Sequence, residues 1–120
     1  MIEGVGVDLT DIGKMKKILS GKAGKRFIEN TFTEFEIACA GDNVPKLASA
    51  FAAKEAIYKA FGTGWIEGRD VELLRTKEGV PSIRLHGEIK KIAKKRKIRR
   101  THVSVSWTDC CAVAVVVLTS

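Results

Sequence analysis

Residues 51–64 read Phe51-Ala52-Ala53-Lys54-Glu55-Ala56-Ile57-Tyr58-Lys59-Ala60-Phe61-Gly62-Thr63-Gly64, and the hydrophobic period changes at their end. Up to Phe61, Leu47, Phe51, Tyr58 and Phe61 form an apolar stripe at helical spacing, filled in by alanines. Pro45 suits a first helical position and Gly62 a C-terminal stop. Beyond Gly64, Val71 and Leu73 alternate, Glu78-Gly79 signals a turn, and Ile83 and Leu85 resume the alternation, which predicts a hairpin. Working back toward the N-terminus, Thr33-Glu34-Phe35-Glu36 is a capping box opening a short helix that stops at Gly41, and Arg26 to Phe32 reads as a further helical turn. Ile2 to Leu9 alternates as a strand, with Val5, Val7 and Leu9 expected on its packed face and Gly4, Gly6 and Asp8 on a nearly bare one. Thr10 or Asp11 then caps a helix carrying Ile12, Met15, Ile18 and Leu19. Toward the C-terminus, Glu88 to Arg100 predicts an amphipathic helix. Val103, Val105 and Trp107 alternate inward, and Cys111 to Leu118, apolar on both faces, reads as a central strand. The expected fold class is α+β, with helices packed on a small antiparallel sheet, in one domain over residues 1–120.

The chain has 120 residues, and 21 Lys and Arg against 14 Asp and Glu give it a formal charge of +7. With 45% hydrophobic and 29% charged residues, the composition is that of a folded domain rather than a disordered or fibrous one. Cys39, Cys110 and Cys111 offer neither a disulfide framework nor a zinc spacing, and the two neighbours read as packed thiols. The longest apolar run, Cys110 to Leu118, falls far short of the ~20 residues of a membrane span. No basic, then apolar, leader opens the sequence. A cytoplasmic protein without a membrane partner is expected.

The excess charge gathers in two clusters, Lys14 to Arg26 and Lys90 to Arg100, either of which suits a polyanion or an acidic protein. Glu55 and Lys59 are four apart on one helix face, an arrangement that on a surface is an ion pair worth a few tenths of a kcal/mol. The surrounding alanines argue for a helix approached closely there, where a charged pair needs partners. Asp8 stands among glycines at a strand-to-helix junction. Two carboxylates from separate elements are the minimum for a Mg²⁺ that keeps much of its water and takes phosphate oxygens. Gly62-Thr63-Gly64 exposes backbone N–H groups as a phosphate-contacting turn does, although a plain helix stop explains it equally well. No P-loop, dinucleotide fingerprint, zinc motif or hydrolase elbow is present.

Gly4-Val5-Gly6-Val7-Asp8-Leu9, the stretch from Phe51 to Gly64, and Val103-Ser104-Val105-Ser106 before an apolar strand together resemble the holo-[acyl-carrier-protein] synthases of the 4′-phosphopantetheinyl transferase superfamily, in the family's order and essentially end to end. The resemblance implies transfer of the 4′-phosphopantetheine arm of coenzyme A to a serine of apo-acyl carrier protein, releasing adenosine 3′,5′-bisphosphate, within fatty acid and lipid biosynthesis. It makes Asp8, Glu55 and Lys59 catalytic, with Asp8 and Glu55 as Mg²⁺ ligands. Lys59, Gly62, Thr63, Gly64 and Pro81 are implied to contact coenzyme A. Lys14, with Lys17, would dock the acidic carrier, lysine standing where the family usually has arginine. A homotrimer with active sites at subunit interfaces is implied as well. Two positions depart from the family pattern: Trp107 replaces a histidine after Ser-x-Ser, and Val80 replaces a lysine before Pro81, both at the coenzyme A end of the site. The competing reading is a basic nucleic-acid-binding domain using Lys90 to Arg100, which the lack of an exposed aromatic platform disfavours because Trp107 is expected to pack with the valines.

Overall fold

In a computed structural model describing residues 1–120, one 18-residue helix, α4 (Val44–Phe61), lies across a three-stranded sheet. Its alanines favour the helix. Asn43 caps it by accepting from the Lys46 N–H at 3.0 Å, Pro45 sits in the first turn, and Gly62 ends it in the left-handed region at φ 71°. The sheet has the order β1 (Ile2–Asp11), β5 (Cys111–Thr119), β4 (Arg100–Trp107), all antiparallel, so the twice-apolar last strand is central as expected. Ala112, Ala114, Val116 and Leu118 of β5 are fully buried against the helix side.

The packed face of β1 is the reverse of the one its alternation suggests. Gly4 and Gly6 face α4, so closely that a Cβ on Gly6 would lie 2.0 Å from the Ala56 carbonyl oxygen and one on Gly4 2.3 Å from that of Ala60. Val5, Val7 and Leu9 point away and are 59%, 52% and 68% exposed. The bare face is bare because a helix backbone occupies the place of its side chains.

Three helices connect β1 to α4: α1 (Ile12–Ser20), α2 (Gly24–Thr31) and α3 (Glu34–Ala40). Asp11 caps α1, accepting from the Lys14 N–H at 2.8 Å, and Thr33 with Glu36 forms the expected reciprocal capping box on α3. After α4 a 3₁₀ turn (Gly68–Asp70) leads into the hairpin β2 (Val71–Arg75) and β3 (Pro81–Leu85), which forms a second, two-stranded sheet. The helix α5 (Gly87–Lys95) is shorter than the expected Glu88 to Arg100. Lys97 turns left-handed at φ 59°, and the Lys97 and Ile98 N–H groups close on the Lys94 and Ala93 carbonyls at 3.1 and 2.9 Å. This is a complete helix stop built without glycine. It frees Arg100 to begin β4.

Two further expectations are corrected at the C-terminal end. Trp107 is 43% exposed and sits under the guanidinium of Arg75, whereas Val103 and Val105 of the same strand are half-buried against the core. Cys110 is exposed in the turn and Cys111 half-buried, so neither is a core thiol.

Candidate functional site

Asp8 lies near the end of β1, held beside α4 by the glycine contacts four and two residues earlier. The Lys59 ammonium donates to Asp8 Oδ1 at 2.9 Å and to the Val7 carbonyl at 3.2 Å. Thr10 Oγ1 donates to the other Asp8 oxygen at 3.3 Å. The partner of Lys59 is therefore Asp8 on a different element and not Glu55 one turn away, which corrects the pairing expected from spacing. Glu55 is left half-buried without a cation of its own.

The protonation equilibria follow from this arrangement. The Glu55 carboxyl is raised above the ordinary glutamate value, first by burial and then by the negative charge of Asp8, with Lys59 opposing in part. Lys59 is raised too, chiefly by its hydrogen bond to Asp8 and by that residue's charge. Two carboxylates that repel one another beside a single ammonium leave the pocket short of positive charge.

The pocket is a cleft of about 430 Å³ lined by Asp8, Asp11, Lys14, Phe51, Glu55 and Lys59 among others. The fold thus gathers Asp8, Glu55, Lys59 and Lys14 from three elements around one space. Lys17, also on α1, is exposed outside it. Gly62, Thr63 and Gly64 form an exposed turn at the end of α4, with Gly64 left-handed at φ 74° and the Thr63 hydroxyl donating to the Gly64 carbonyl at 2.8 Å. Arg96 donates to the Phe61 carbonyl at 2.8 Å and so braces this turn. Pro81 lies elsewhere, opposite Arg75 in the β2–β3 hairpin.

Asp8 and Glu55 suit a hard divalent cation. Both offer oxygen donors to one cleft, and their mutual repulsion is what a cation between them relieves. No three His, Cys, Asp or Glu side chains converge to hold a metal, so Asp8 and Glu55 make a two-carboxylate share of such a shell. That share fits Mg²⁺, which retains water and takes substrate phosphates.

Lys54, between Ala53 and Glu55, has a role that spacing did not disclose. Its ammonium is fully buried and donates to Glu36 Oε1 at 2.7 Å, to the Gly68 carbonyl at 2.8 Å and to the Val71 carbonyl. Glu36 also accepts from the Thr33 and Leu73 N–H groups, each at 2.9 Å. The network ties α3, α4 and β2 together behind the cleft. The capping box in the sequence marked Glu36 as a helix cap, and nothing local marked it as the partner of a lysine 18 residues on.

The model of the 4′-phosphopantetheinyl transferase superfamily matches residues 4–108. The holo-[acyl-carrier-protein] synthase of Maridesulfovibrio salexigens is 38% identical, the alignment covering 98% of each chain, and that of Geobacter sulfurreducens 40% identical with the same coverage. Among solved structures, the holo-[acyl-carrier-protein] synthase of Neisseria meningitidis superposes over 100% of both chains with a TM-score of 0.90 at 29% identity. The Helicobacter pylori enzyme in complex with coenzyme A gives 0.87 at 26% identity, over 96% of this chain and 99% of that one.

Proposed function

The chain belongs to the 4′-phosphopantetheinyl transferase superfamily, and from that membership we propose that it is a holo-[acyl-carrier-protein] synthase, moving the 4′-phosphopantetheine arm of coenzyme A onto a serine of apo-acyl carrier protein and releasing adenosine 3′,5′-bisphosphate. The observation that carries the reading is the Lys59–Asp8 ion pair standing beside Glu55 in a cleft that Lys14 also lines.

The serine oxygen attacks the β-phosphorus of the pyrophosphate. The bond from that phosphorus to the bridging oxygen breaks, and negative charge grows on the departing bisphosphate. Lys59 sits where its ammonium stabilises that charge, the main lever in phosphoryl transfer. Its hydrogen bonds to Asp8 and Val7 hold it there before substrate arrives. Glu55 is placed to take the serine proton, either directly or through a water that Asp8 or Glu55 orients. Asp8 and Glu55 would hold Mg²⁺, and the ion when bound adds positive charge toward the pyrophosphate oxygens. In this reading Gly62, Thr63, Gly64 and Pro81 are contacts for coenzyme A.

Lys14 at the mouth of the cleft, with Lys17 farther along α1, meets the acidic carrier. Lysine supplies charge there without the bidentate fork of arginine. Residues 1–120 act as one transferase domain and assemble as a homotrimer. The uncovered valine face of Val5, Val7, Val113, Val115 and Val117 with Leu9 supports the assembly, since β1 and β5 pair these residues side by side in register. No helix is long and apolar enough to cross a membrane.

The test is incubation with coenzyme A, Mg²⁺ and an apo-carrier protein, followed by mass spectrometry. The carrier gains the phosphopantetheine mass with the wild type and not with Glu55→Gln. A carrier of unchanged mass with the wild type refutes the reading.

A further inference from the structure

Between the end of α4 and the 3₁₀ turn, residues 62–67 fold back along the helix, and Tyr58 holds both ends of that loop. Its backbone carbonyl accepts from the Gly62 N–H at 2.9 Å and from the Thr63 N–H at 3.2 Å. Its hydroxyl donates to the Glu67 carbonyl at 2.6 Å and accepts from the Glu67 N–H at 3.1 Å. In the middle of the loop the Trp65 indole packs on the Tyr58 ring, with centroids 5.5 Å apart, and on Phe51 at 5.4 Å. Tyr58 itself is 1% exposed. One buried residue thus touches the beginning, the middle and the end of the loop.

Little else fixes its shape. Gly62 and Gly64 both lie in the left-handed region, at φ 71° and 74°, and glycine has more backbone freedom to lose than any other residue. The Thr63 hydroxyl stays within the turn, donating to the Gly64 carbonyl. The Gly64, Trp65 and Ile66 N–H groups donate to no acceptor in the chain, and all three residues are exposed. Arg96 braces the Phe61 carbonyl just before the loop, and Lys54 holds the Gly68 carbonyl just after it. Between those anchors Tyr58 is the one side chain from outside the loop that hydrogen-bonds to its backbone.

We propose that Tyr58 is a positioning residue for coenzyme A. Its hydroxyl clasps Glu67 and so keeps the Gly62-Thr63-Gly64 backbone in the shape that the substrate meets, an inference that rests on the phosphopantetheinyl transfer reading and on the contact which that reading gives the turn. Tyr58 touches no reacting atom. Its neighbour Lys59 reaches Asp8 on β1, whereas Tyr58 reaches only the loop. A loop ordered before binding spares the substrate the cost of ordering it, so loss of the clasp falls on affinity and not on the chemical step.

The test compares the wild type with Tyr58→Phe, which keeps the ring and its contact with Trp65 and deletes only the hydroxyl. Calorimetric titration with coenzyme A, without carrier, is expected to show binding about five- to tenfold weaker in the variant. In the transfer assay KM for coenzyme A rises by a similar factor, while kcat and the KM for the carrier stay within about twofold of the wild type. A role in stability alone lowers Tm and, at an assay temperature well below the melt, leaves the coenzyme A affinity where it was. Wild-type affinity in a folded Tyr58→Phe, or a fall in kcat with KM unmoved, overturns the proposal. Should Tyr58→Phe fold poorly, Trp65→Leu removes the stacked ring and leaves the hydroxyl. It is expected to raise the same KM by a smaller factor, and a wild-type value there overturns the proposal equally. Failure of the transfer reading looks different: the wild type itself leaves the carrier mass unchanged, whereas a wild type that transfers beside a Tyr58→Phe of equal affinity refutes only the role of Tyr58.

Discussion

At Glu55, function and stability pull in opposite directions. Its carboxyl has a folded-state pKa raised above the ordinary glutamate value, so the folded chain holds that proton more tightly than the unfolded one does. The stability associated with the proton is present below the unfolded pKa and is lost as pH rises through the raised folded value. In metal-free protein Glu55→Gln is therefore expected to raise Tm at neutral pH and to leave it unchanged near pH 4, while transfer is abolished. Because Glu55 is partly solvated, the gain stays below about 1 kcal/mol. Thermal melts at the two pH values check it, and a destabilised Glu55→Gln at neutral pH would contradict the electrostatic account. Lys54, the neighbouring residue, behaves in the opposite way. Burial lowers its pKa while Glu36 works to keep it charged. Lys54→Met leaves Glu36 buried without its cation and is expected to cost about 3–5 kcal/mol, with the double variant Lys54→Met/Glu36→Gln recovering part of the loss. Chemical denaturation of the two variants measures the difference. Two adjacent charged residues in one motif thus have unlike roles, and only their side of the helix separates them.

The decisive contact between elements is the close approach of β1 to α4. Gly4 and Gly6 bring the strand onto the helix backbone, and this sets Asp8 at hydrogen-bond distance from Lys59. A methyl group at position 6 would fall 2.0 Å from the Ala56 carbonyl, so Gly6→Ala must push strand and helix apart. It is expected to destabilise the fold by about 1–3 kcal/mol and to lower transfer by more than that loss explains, because the carboxylate moves away from the ammonium. A variant that retains full kcat would show that the spacing is not critical. The elements themselves were largely legible. The capping box at Thr33, the Pro45-to-Gly62 helix, the hairpin and the central last strand follow from local patterns, and the structure agrees with each. The end of α5 was not legible, because Lys97 takes up a left-handed turn that a sequence normally signals with glycine. Nor was the packed side of β1. Alternation tells two faces apart but not which one meets the helix, and here the face without side chains does so.

For the whole molecule, the outward valine face is the feature one chain leaves unexplained. Val7 and Val115 lie opposite one another in register, 52% and 40% exposed. Val7→Glu combined with Val115→Glu is expected to leave single chains in place of the proposed trimer and to depress transfer, with the far-ultraviolet circular dichroism unchanged because neither side chain is part of the core. Light scattering gives the mass directly, and a wild type with the mass of one chain would dispose of the trimer. Lys90 and Lys94 of α5, with Arg99 and Arg100 after it, surround a groove beside β3 and form a solvated basic surface to which the proposed transfer assigns no role. By itself the sequence determined the order and kind of the elements, the family, and the residue types from which a phosphate site is made, because each rests on local periodicity, caps and short motifs. Tertiary structure decided which charges meet. Lys59 turned from Glu55 to Asp8, Lys54 found Glu36 across the core, and Arg75 was left with an unused donor beside Trp107, since these partners lie 51, 18 and 32 residues apart and only packing brings them within hydrogen-bond or stacking distance.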